Sequence, residues 1–179
     1  MSEEIYFPHV NPKEFDTELA AVWYAANYYY KESYLRGGET TGVLFQKPNT
    51  KFSFTVRQEG GFHSSAVKWS DVPKNQGFEI TAAWHTHVPG TRACQLNGIG
   101  AGIACLLFTL TDSVFGEFRS FSPEDRVNVA DHATKVLERP VSFYLITADM
   151  IKRYTPGKPE KTWKKDIPSR MKGIWRESF

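Results

Sequence analysis

The chain is short of cysteine, of long apolar runs and of net charge, and each shortage removes a class of protein. Its two cysteines, Cys94 and Cys105, stand eleven positions apart with no CxxC or zinc-finger spacing. That excludes a disulfide framework and a structural zinc knuckle, and both read as buried thiols. The one long uncharged window, Ala93 to Thr111, is broken by Gln95, Asn97, three glycines and two threonines. It falls short of the ~20 apolar residues that cross a bilayer, so no membrane span is expected. The first residues carry Glu3 and Glu4 and no apolar h-region, which argues against a cleavable signal peptide. The expectation is a soluble protein made in the cytoplasm.

What is present is globular. The 179 residues are 41% hydrophobic, 23% charged and 15% aromatic, which suits one domain with one core on the usual scale of ~150 residues per domain. The formal net charge of +2 conceals an asymmetry. From Lys152 onward nine Lys/Arg stand against three Asp/Glu, a local +6 that leaves −4 on the rest. Residues 156–179 therefore read as a basic C-terminal tail following a domain of residues 1–155.

Hydrophobic spacing supplies the elements. Phe15, Leu19, Val22, Trp23, Ala26 and Tyr30 recur at helical intervals, which predicts an amphipathic helix from Asn11-Pro12 to about Ser33, stopped by Arg36-Gly37-Gly38. Thr41 to Gln46 reads as a mostly buried strand. It is joined by the turn Lys47-Pro48-Asn49-Thr50 to an alternating strand with Phe52, Phe54 and Val56, giving a hairpin. Phe78 to His87 alternates again, placing Ile80, Ala82 and Trp84 on one face and Ala83, His85 and His87 on the other. Ser122-Pro123 opens a helix to about Leu137, with Ser at N-cap and Pro at N1. Ser142 to Thr147 and Ile151 to Tyr154 close the set as strands. The fold class expected is α+β, with a largely antiparallel sheet, an N-terminal helix and a helix after Ser122.

His85-Thr86-His87 is the pattern closest to chemistry. On a strand the two Cα atoms lie roughly 6.5 Å apart and both imidazoles leave the same surface, so one metal ion can bind both. Two histidines on an exposed edge would look the same. A catalytic zinc takes three protein ligands and leaves one position open, and Asp125 is the candidate third ligand. The stretch Ser122-Pro123-Glu124-Asp125 is equally a capping box, and the two roles are compatible. His132, seven residues further along the same helix, lies about 10 Å away along its axis and cannot join Asp125 on one ion. His9 and His63 have no partners at useful spacing.

With Glu39 added, the pattern resembles a known family. Glu39-Thr40-Thr41-Gly42-Val43-Leu44-Phe45, then His85-Thr86-His87, then Ser122-Pro123-Glu124-Asp125 is similar to the motif set of the JAMM (JAB1/MPN) metallopeptidases. The closer likeness is to a bacterial JAB-like domain of unassigned function found at the C-termini of Rhs-type polymorphic toxins. Phe15 to Tyr30, Phe121 to Asp125 and Phe143 to Tyr154 carry that likeness, which covers roughly residues 11 to 155. The resemblance implies a JAB/MPN-like fold in which His85, His87 and Asp125 hold Zn²⁺. Glu39 would be the general base, and Ser122 would hydrogen-bond the developing oxyanion. It also implies a peptide or isopeptide substrate, and it raises the prospect of export as an effector.

Two features depart from the family pattern. Val88 separates His87 from Pro89, and the spacer from His87 to Ser122 is long. The insertion, residues 88–121, reads either as a buried helix, with Leu106, Leu107, Phe108 and Leu110 on its inner face, or as a lid that meets a protein partner. Two other functions stay open: a JAB-fold binding module without catalysis, and a metal-dependent nuclease toxin. Only the tail speaks for the nuclease, through Lys158, Lys161, Lys164, Lys165, Arg170, Lys172 and Arg176 interleaved with Trp163 and Trp175. Such a run is more often a solvated tail or a strap anchored by its tryptophans, so nucleic acid is not the favoured partner.

Overall fold

A computed structural model describes residues 9–58, 67–74, 76–88, 120–123 and 125–164. The elements run α1 (Glu18–Arg36), β1 (Thr41–Gln46), β2 (Phe52–Phe54), β3 (Glu79–Thr86), a π-helical segment (Asp125–Asp131) continued by α2 (His132–Leu137), then β4 (Ser142–Ile146), β5 (Met150–Thr155) and β6 (Lys158–Lys164). The fold class is α+β. The expected insertion helix, both cysteines, His63 and the last fifteen residues lie outside the described residues, and among the described residues no helix is long and apolar enough to cross a membrane.

Helix α1 begins later than its periodicity suggests. Thr17 is the N-cap, its Oγ1 accepting the Ala20 N–H at 3.1 Å. The residues before it are extended instead, because the N–H groups of Asn11 and Phe15 bond the Phe54 and Phe52 carbonyls of β2, each at 2.9 Å. Edge pairing thus outcompetes the helix there. The C-terminus is as expected: Gly37 takes the left-handed conformation (φ 68°) that glycine adopts without steric cost, and its N–H returns to Ser33 O. Ala21, Val22, Ala25, Ala26 and Tyr30 of α1 are buried.

The six strands form one sheet in the order β2-β1-β3-β4-β5-β6. It is mixed rather than simply antiparallel: β3 and β4 run parallel, and every other neighbouring pair is antiparallel. Parallel neighbours need a crossover and burial on both faces. Both conditions hold, since α1 packs with Leu44, Ala82, Trp84, Tyr144 and Ile146 on one face, while Ala130 of the π-helical segment packs with Ala83, Phe143 and Leu145 on the other.

One sequence expectation is corrected here. Ile80 does not share a face with Ala82 and Trp84. Leu44 pairs with Ala82 but Phe45 pairs with Ile80, so a bulge at Thr81 turns Ile80 over to pack with Val43, Phe45 and Phe78. The first part of the basic run from residue 156, read from sequence as a solvated tail or a strap anchored by its tryptophans, supplies β6 as an edge strand. Trp163 secures it, packing 6.4 Å from the Tyr144 ring and lying under the Arg153 guanidinium.

Candidate metal centre

The centre forms where β1 and β3 meet the start of the π-helical segment. In β3 the alternation of side chains sends His85 to the face opposite α1, where its ring lies 4.7 Å from that of Phe143. His87, just past the strand, keeps the same face because its N–H bonds Ile146 O at 2.9 Å and so extends the ladder. The two imidazole centroids are 4.4 Å apart.

Asp125 enters from the second face. Its N–H bonds Ser122 Oγ at 3.1 Å, and its Oδ2 accepts the Ser122 N–H at 2.8 Å. This is the reciprocal capping box anticipated from sequence. The same Oδ2 lies 3.7 Å from His85 Nε2 and 3.9 Å from His87 Nε2. The cap is therefore compatible with a ligand position: the box holds the carboxylate where it faces both histidines. A π-helical start, uncommon in general and frequent at functional sites, carries this residue.

Glu39, two residues before β1 begins, is 9% exposed, and its Oε1 lies 3.8 Å from His87 Nε2. Sequence reasoning missed what holds it there. Arg36 Nη2 donates to the carbonyls of Glu39 at 2.7 Å and Gly38 at 3.2 Å. Beneath them lies a buried hydroxyl cluster. Thr86 Oγ1 accepts the Thr40 N–H at 2.8 Å and meets Ser33 Oγ at 2.9 Å, and Ser33 Oγ meets Thr40 Oγ1 at 2.6 Å. Thr86, between the two histidines, therefore faces inward and ties α1, β1 and β3 together below the centre. Its position between them was the available signal, since alternation sends it to the opposite face.

His85, His87 and Asp125 each offer one ligand atom, and these atoms lie within 4.8 Å of one another, so the group could hold a metal ion. The donor set of two imidazoles and one carboxylate suits a divalent transition metal. The strongest sign of fit is His85 Nε2, which is buried and has no hydrogen-bond partner among the described residues. Burial pushes the His85 pKa down to about 3, so the imidazole stays neutral, the form that binds metals.

No family model, curated protein or solved structure matches this chain. What the centre can do has to be read from its own residues. All five site residues singled out in the sequence, Glu39, His85, His87, Ser122 and Asp125, fall in one place. His132 does not join them. It sits with Val127, Asn128, Asp131 and Lys135 along a shallow surface depression.

Proposed function

We propose that this protein is a zinc-dependent hydrolase of JAMM type that cleaves a peptide or isopeptide bond, a chemistry that would suit a bacterial toxin or effector module. The observation that carries the reading is the convergence of His85, His87 and Asp125 around a buried, unsatisfied imidazole nitrogen, with the Glu39 carboxylate 3.8 Å from His87. The two histidines and the aspartate would hold the ion. Bound there, zinc would bring the pKa of a water toward 7 and polarise a carbonyl.

The other steps belong to the chain. Glu39, positioned from below by Arg36 and the hydroxyl cluster, takes a proton from the attacking water and returns it to the leaving amine. Ser122 Oγ is an acceptor toward the Asp125 N–H, which leaves its own proton for the substrate oxygen as that atom gains negative charge. Phe143 lies beside His85, and Phe121 packs on Phe143, so the floor under that histidine is apolar.

Metal content tests the reading directly. Purified untagged protein should hold about one equivalent of zinc. Glu39→Gln should keep that zinc while losing hydrolysis of fluorogenic peptide and isopeptide substrates, whereas His85→Ala and Asp125→Ala should lose the metal. Protein with well under one equivalent, and with a Tm that added zinc does not move, would remove the basis of the proposal.

A further inference from the structure

The register of the sheet places a second feature beside the centre. Thr41 pairs with His85, His85 with Leu145, Leu145 with Lys152, and Lys152 with Thr162, so all five lie in one row across the sheet. Residues paired across neighbouring strands share a face, which puts Lys152 on the face that carries His85, two strands away. At the usual strand spacing their Cα atoms lie about 10 Å apart. Lys164 of β6, paired with Met150 two residues further along, joins the same face.

These two lysines have no counter-charge among the described residues. Lys152 is half-buried, and neither it nor Lys164 has a hydrogen bond or ion pair with any described residue. Two arginines nearby are paired. Arg57 extends the row on the far side of Thr41, but its guanidinium grips Asp71 through two nitrogens, with Nη2 at 2.7 Å from Oδ1. Arg126 is held by Glu160 at 2.6 Å. Of these four cations, the two without a described partner, Lys152 and Lys164, lie on the β5–β6 side of the candidate centre.

We infer that Lys152 and Lys164 form an anion-recognising shelf, and that the substrate is a peptide with an acidic side chain about three residues from the bond cleaved. The spacing follows from the row, because three extended residues span roughly 10 Å. The inference rests on the hydrolase reading for its substrate, and its test separates the two.

Zinc-loaded Glu39→Gln protein is titrated with fluorescein-labelled nine-residue peptides in which a single Glu walks through an otherwise neutral sequence, with Gln peptides as reference. At one or two adjacent positions Glu should bind roughly two- to fivefold tighter than Gln, the range of an exposed ion pair. The difference should fade near 1 M salt, where screening reaches ~3 Å. Lys152→Gln, added to Glu39→Gln, should abolish the preference with zinc content intact, and Lys152→Glu should transfer it to peptides carrying Lys. If Lys152→Glu does not fold, Lys152→Gln carries the test by itself. No preference for Glu at any position, or the same preference after Lys152→Gln, overturns the shelf. A preference that behaves as described in a protein whose wild type hydrolyses no peptide supports the shelf and counts against the hydrolase reading alone.

Discussion

Gly42→Ala should be among the most damaging single-methyl additions in this protein. Gly42 sits opposite Trp84 in the β1–β3 ladder, three residues after Glu39. A Cβ there would meet Thr55 O at 1.8 Å and Trp84 Nε1 at 2.6 Å, where ordinary contact begins at 3.4 Å. The obstacle is backbone, so no side-chain rotation relieves it. Moving Thr55 away stretches two bonds, Thr55 N–H to Val43 O and Val43 N–H to Thr55 Oγ1, each 2.9 Å. At about 1 kcal/mol per bond, with overpacking of 1–3 kcal/mol, the loss comes to roughly 3–5 kcal/mol. For a chain of this size that is a fall in Tm of about 6–20 °C. Thermal unfolding followed by circular dichroism reads it, in zinc-free buffer so that metal binding does not mask the change. A fall of less than ~2 °C would refute the close approach of β1 to Thr55, and with it the placement of Glu39.

Three further outcomes follow from the same geometry. Thr86→Val should destabilise by about 1–3 kcal/mol in urea unfolding because it strands the buried Thr40 N–H, and Thr86→Ser should recover most of that; equal midpoints for both would dismiss the hydroxyl cluster. Ser122→Ala should cost about 1 kcal/mol of stability and also weaken zinc affinity, since the box that aims Asp125 loses a member; unchanged affinity would show that the cap does not orient the ligand. His85, with its pKa lowered by burial to about 3, binds its proton in the unfolded chain first. Metal-free protein should therefore lose stability as pH falls from about 6.5 toward 3, by about 2 kcal/mol at pH 5. His85→Phe should flatten that slope in denaturant titrations, and a slope of the same size in the variant would assign it to other groups.

The sequence alone determined whatever depends on neighbours a few residues apart. A period of two placed His85 and His87 on one face and Thr86 on the other, and a period near 3.6 marked the buried stripe of α1. Gly37 announced the end of that helix, since only a residue without Cβ takes φ 68° freely. The capping box at Ser122 was equally legible, because its two hydrogen bonds close within three residues.

Tertiary structure decided everything that depends on which strand lies beside which. The parallel pairing of β3 with β4 follows from covering both faces of the sheet, a property no single segment carries. The bulge at Thr81 reverses Ile80 through a register choice made with β1. The basic run after residue 157 became β6 because the edge of β5 offered hydrogen bonds and Tyr144 offered a surface for Trp163. The sequence showed its charge and its tryptophans but not the strand. Residues 39, 87 and 125 approach one another for the same reason: alternation and capping fix where each side chain points, but only the order of strands brings them to one point.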